Sequence, residues 1–69
     1  MDYIIDVEQE ADGRWLAEVS DLPGVLAYGD TVEQAQSKAE ALALRVLAER
    51  LETQESKALP IRIGLAAAA

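Results

Sequence analysis

The chain of 69 residues contains no cysteine, no histidine and no phenylalanine. Without thiols or imidazoles there is no disulfide, no thiolate zinc site, no Cys or His nucleophile and no imidazole metal ligand, so carboxylates are the remaining candidates for holding a metal. Most metalloenzyme and hydrolase chemistries fall away on that ground. Positive charge is scarce as well: six Lys and Arg stand against thirteen Asp and Glu, for a net charge of −7. That balance opposes a sequence-independent grip on phosphates and argues against direct nucleic-acid binding. No stretch approaches the ~20 apolar residues of a membrane span, and the first ten residues carry acids where a signal peptide needs a basic start and an apolar run. The expectation is a cytoplasmic protein with no cofactor, no metal and no membrane partner.

What is there is enough for one small domain. A chain this short hides only ~60% of the surface that it exposes when unfolded, so a second core is excluded. Hydrophobic residues make up 51% of the sequence, too many for a disordered acidic tail. An acidic folded domain is suited to meeting a basic partner, because complementary fields speed encounter and fix orientation.

Hydrophobic periodicity divides the chain into five elements. From Asp2 to Gln9, Tyr3, Ile5 and Val7 alternate with Asp2, Ile4, Asp6 and Glu8, the period-two pattern of a half-buried strand. Arg14 to Val19 repeats it, with Trp15, Ala17 and Val19 opposite Arg14, Leu16 and Glu18, and the intervening Glu10-Ala11-Asp12-Gly13 carries the Asp-Gly signal of a hairpin. Ser20-Asp21-Leu22-Pro23-Gly24 breaks the alternation, since Pro23 removes a ladder donor and Gly24 completes a turn. A short third strand, Val25 to Tyr28, is expected next.

Gly29-Asp30-Thr31 ends the sheet segment, and Thr31 followed by Gln34 is a capping-box pattern that starts a helix at Val32. Ala35, Ala39, Leu42, Val46 and the stem of Arg50 fall on one stripe, widened by Ala43 and Leu47, and the pattern fades over Thr53 to Lys57. A final strand runs through Leu59, Ile61, Ile63 and Leu65, with Pro60 favouring a sheet edge, and the alanines from Ala66 to Ala69 are expected to fray. The order strand, strand, strand, helix, strand predicts an α+β domain over residues 1–65, a four-stranded sheet covered on one face by a single helix, with no further DNA-binding domain. The uncovered face receives Ile4, Asp6, Glu8, Leu16 and Glu18 together with Arg14, mixed enough to be wet in a monomer and apolar enough to meet a partner or another subunit.

The run Asp21-Leu22-Pro23-Gly24, then Gly29-Asp30-Thr31, then Ala35, resembles the signature of HicB-like domains, the antitoxin half of HicA/HicB toxin–antitoxin modules. The upstream strand Tyr3-Ile4-Ile5 and the arm Asp12-Gly13-Arg14-Trp15-Leu16-Ala17-Glu18-Val19 fit the same pattern. The resemblance covers about Tyr3 to Leu51. It implies a partial RNase H-like fold with strand order 3-2-1-4, the last strand parallel beside the first, and a small basic mRNA-cleaving toxin as partner. Many members carry a further DNA-binding domain, for which the residues after Leu51 leave no room.

Several positions admit two readings. Asp6 and Glu8, i and i+2 on one strand face and so ~7 Å apart, are a metal pair or, preferably, solvated strand charges and cross-strand partners of Arg14. Asp21 to Gly24 is a partner-recognition loop or, preferably, the turn that returns the third strand. Gly29, Asp30 and Thr31 read as scaffold, and Trp15 as core or interface. Glu33, Glu40, Glu49 and Glu52 form a solvated helix face on which a basic toxin has room to dock. Two functions remain: an antitoxin that binds a HicA-like toxin, or a free-standing oligomeric domain, dimer or tetramer, with a structural or regulatory role.

Overall fold

The computed structural model describes residues 2–53 and 61–66. Its elements are β1 (Asp2–Gln9), β2 (Trp15–Glu18), β3 (Leu26–Gly29), α1 (Val32–Thr53) and β4 (Arg62–Leu65). They form an α+β fold, a four-stranded mixed sheet in the order β3-β2-β1-β4. Strands β1 and β2, and β2 and β3, pair antiparallel, whereas β4 lies parallel to β1. This is the order, and the parallel last strand, that the resemblance implies. Helix α1 packs on one face, chiefly over β3 and β2 and less over β1.

Period-two alternation settles which side chains enter the core. Tyr3 and Ile5 of β1, Ala17 of β2 and Val19 just beyond it are buried against the helix, with Val7 and Trp15 packed half-buried beside them. Each large aliphatic side chain fully withdrawn from water contributes roughly 1.5–3 kcal/mol, and Ile5, Val19 and Leu22 are the largest that are almost wholly enclosed. The β1–β2 hairpin closes through Gly13, whose amide donates to the Glu10 carbonyl at 2.9 Å while Glu10 donates to the Arg14 carbonyl at 2.8 Å. Gly13 takes φ +92, the left-handed position of a bulged hairpin turn.

Between β2 and β3 the chain makes two successive turns that share Leu22. Its amide donates to the Val19 carbonyl at 3.0 Å, and its own carbonyl accepts from the Val25 amide at 3.0 Å. Pro23 followed by Gly24 at φ +84 gives the second turn its type II geometry. Leu22 itself is buried. Strands two and three are therefore shorter at this end than the alternation suggests, because Val19 and Val25 serve as the outer residues of the two turns, with the Val19 amide donating to the Val25 carbonyl at 3.0 Å. At its far end β3 gains Gly29.

The helix begins where expected. Thr31 Oγ1 accepts from the Gln34 amide at 3.2 Å, and the Thr31 carbonyl accepts from the Ala35 amide at 3.1 Å. Gln34 Oε1 reaches back to the amide of Asp30 at 2.9 Å, one residue before the cap, so the reciprocal limb of the capping box is displaced by one position. The buried stripe is Ala35, Ala39, Ala43 and Leu47. This corrects the phase expected from the sequence: Leu42 and Val46 flank the seam, half-buried, and Arg50 is exposed. Alanines hold the seam because their single methyl groups allow the closest approach of helix to sheet, which leaves the bulkier Leu42 and Val46 to fill the wedge beside it.

At the other margin, β4 is an edge strand, as predicted, and Ile61 and Ile63 pack half-buried against the core. The Ala66 amide donates to the Ile5 carbonyl at 3.0 Å, so the pairing continues through Ala66, contrary to fraying from that residue. Leu59, Pro60 and Ala67 to Ala69 lie outside the described residues.

Candidate functional site

The face of the sheet opposite α1 brings the expected residues Ile4, Asp6, Glu8, Leu16 and Glu18 together. The strand register places them in rows. Tyr28, Leu16 and Glu8 lie side by side across β3, β2 and β1, and Leu26, Glu18 and Asp6 form the next row. Ile4 follows beyond Asp6 and stands beside Gly64 of β4, and Asp2 stands beside Arg62. The apolar members are open to solvent: Ile4 is 47% exposed, Leu26 43% and Tyr28 40%. Leu16 is half-buried between them, and the three acids are exposed.

Leu26 and Tyr28 are part of this face although the sequence did not single them out. Every residue from Val25 to Tyr28 is apolar, so period two alone gives the strand no phase. Two neighbours do: the inward Leu22 turn sets Val25 inward, and Gly29 is buried at the opposite end of the strand.

Arg14 does not neutralise the strand acids. Its Nε donates to Asp12 Oδ2 at 2.8 Å, its backbone amide donates to Asp12 Oδ1 at 3.0 Å, and its guanidinium carbon lies 4.6 Å from the centre of the Tyr28 ring. These bonds, the backbone one foremost, hold the Asp12 carboxyl below its ordinary pKa, and the bond to Asp12 raises that of Arg14. The expected pairing of Arg14 with Asp6 or Glu8 gives way to Asp12, two residues away and fixed by the turn, because a local partner costs less side-chain entropy to hold. Asp6 and Glu18 are then direct cross-strand neighbours of the same charge.

The signature residues separate into two places. Asp21, Leu22, Pro23 and Gly24 form the loop at one end of the β2–β3 pair, while Gly29, Asp30, Thr31 and Ala35 gather at the other, where Gly29 pairs with Trp15. They do not make one site. Leu22 and Ala35 are core, Pro23 and Gly24 shape a turn, and Thr31 caps the helix. Gly29 is required by space and not by turn conformation: a Cβ there would stand 2.6 Å from the Ala35 amide nitrogen.

On the helix side, Glu33, Gln36, Ser37 and Glu40 line a shallow open groove with Leu65, which is 55% exposed. Glu49 and Glu52 are solvated. Among the described residues there is no group of three or more carboxylates, cysteines or histidines placed to hold a metal, and no helix is long and apolar enough to cross a membrane. Comparisons with family models, with curated proteins and with solved structures give no match to this chain.

Proposed function

We propose that the protein is a HicB-like antitoxin domain of the cytoplasm, which binds a small basic mRNA-cleaving toxin of the HicA type and neutralises it by protein–protein contact, without catalysis or a cofactor. The observation that carries this reading is the open sheet face, where exposed Ile4, Leu26 and Tyr28 adjoin the carboxylates of Asp6, Glu8 and Glu18. Apolar contact supplies short-range adhesion, and the acids select for a basic surface. The signature from Asp21 to Ala35 supports the family; its residues act as scaffold for that face.

Co-expression tests the reading directly. Growth and messenger integrity in cells producing a HicA-type toxin should be restored by this chain and lost again when Ile4 and Leu16 are both changed to Asp. Failure of the unaltered chain to bind or neutralise any such toxin would overturn it.

A second contact is favoured by Leu65, a large hydrophobic residue left 55% exposed on the edge strand β4. Such an edge lends itself to pairing with a second copy, giving a dimer or tetramer. Sedimentation at micromolar concentration that finds only monomer would remove this contact and the free-standing oligomer with it.

A further inference from the structure

We infer that the open face is organised around one point, the opposed pair Asp6 and Glu18, which receives a single arginine or lysine side chain of a basic protein partner. This rests on the reading of the face as a site for a basic protein and adds where and how the contact is made.

The register is the first ground. Asp6 and Glu18 are directly opposed on β1 and β2, which sets their Cβ atoms ~5 Å apart on one face. Around them the same rows place Leu26 beside Glu18, Leu16 on the neighbouring row and Ile4 two residues along β1. Two carboxylates are thus bordered by the apolar side chains of Leu26, Leu16 and Ile4, with the acid Glu8 next along β1. An arginine fork is wide enough to accept one carboxylate at each side, and the apolar margin excludes water from the pair once a partner lies on it.

The second ground is that, among the described residues, no cation stands at this point. Arg14 is held by Asp12 and lies over Tyr28. Lys38 Nζ is bonded to the Tyr28 carbonyl at 3.3 Å, and Arg62 stands beside Asp2 on the edge strand. Like charges directly opposed across strands are destabilising, so the free protein carries a repulsion that a partner's cation relieves. The same charge excludes a second copy as the occupant: stacking two such faces would set the acids of one against the acids of the other, in a chain of net charge −7.

The test compares Asp6→Asn/Glu18→Gln with Glu49→Gln/Glu52→Gln, a control that removes the same charge from the exposed helix, each against a HicA-type toxin by surface binding. The seat predicts that Asp6→Asn/Glu18→Gln weakens binding at least tenfold, mainly through faster dissociation, while the thermal midpoint of the free protein rises. The control should change the dissociation rate less than twofold. Equal dissociation rates for the two variants, or a fall in the midpoint of the sheet variant, would overturn the seat. If the unaltered chain binds no toxin, the antitoxin reading fails, and the seat is judged with a peptide carrying one arginine between leucines. Amide shifts must then concentrate on Ile4, Asp6, Leu16, Glu18 and Leu26, and shifts spread equally over the helix acids would overturn it.

Discussion

Gly29 of β3 and the backbone nitrogen of Ala35 in α1 are packed so closely that one added methyl group would come within 2.6 Å of that nitrogen. The neighbouring atoms are also fixed, with Gln34 Cβ at 2.9 Å from the same point. The strand end and the helix start are therefore one joint, and it stands directly beside the Thr31 cap. Gly29→Ala should destabilise the fold by about 1–3 kcal/mol through overpacking. An unchanged denaturant midpoint would show that the joint can open at no cost.

Leu22 is the buried anchor of the turn from Asp21 to Gly24. Leu22→Ala should cost about 2–5 kcal/mol, the range for emptying an enclosed leucine site, and the loss should appear in urea melts of the protein alone. If toxin binding vanished while the melt was unchanged, the Asp21 to Gly24 loop would have to be treated as a contact surface.

At the helix start, Thr31→Ala removes the acceptor of the Gln34 amide. The expected cost is about 1 kcal/mol, with the dissociation constant for a partner unaltered once the protein is folded. Parallel melts and binding measurements on one preparation check both limbs.

Asp12 should titrate below its ordinary value of 3.8, because the Arg14 amide and guanidinium both stabilise the charged carboxylate. A carboxyl depressed on folding contributes stability above its unfolded pKa and loses it as the pH falls through the folded one. The contribution is therefore complete at neutral pH, begins to fall near pH 3.8 and is gone only below the lowered native value. Carbon-detected NMR titration should give Asp12 a lower midpoint in the native protein than in Arg14→Ala, and identical midpoints would contradict the assignment.

Association with a basic partner should slow with salt more than dissociation quickens. Raising ionic strength from about 0.01 to 0.15 M shortens the screening length from ~30 to ~8 Å, which weakens steering by a chain of charge −7. Leu16→Ala should act on dissociation instead. Stopped-flow mixing separates the two, and an association rate flat across that range would exclude electrostatic steering.

The local features were the most legible in the sequence. The Asp12-Gly13 hairpin, the Thr31 cap and the inward alternation of Tyr3, Ile5 and Ala17 each depend on neighbours a few residues away. The phase of the helix was less so, because a hydrophobicity scale ranks Leu42 and Val46 above Ala43, whereas the close approach to the sheet favours the smallest side chain. Contacts that join turns to strands were hidden for a different reason. The alliance of Arg14 with Asp12 and Tyr28, and the outward phase of Leu26 and Tyr28, depend on how the Leu22 turn and the Gly29 joint position β3, which a strand apolar at every position does not announce.

The parallel pairing of β4 with β1 has a consequence for how the molecule is assembled. The hairpins β1–β2 and β2–β3 join segments near in sequence, but the partner of Tyr3 is Ile63, at the far end of the chain. Contacts between distant segments bear the greatest loop-closure cost and set the pace of folding. During synthesis β1 is made well before its strand-mate, so one flank of β1 waits as an unsatisfied template until Arg62–Leu65 emerges from the ribosome. Charged side chains on an unpaired strand oppose mispairing with other chains, and β1 carries three, Asp2, Asp6 and Glu8.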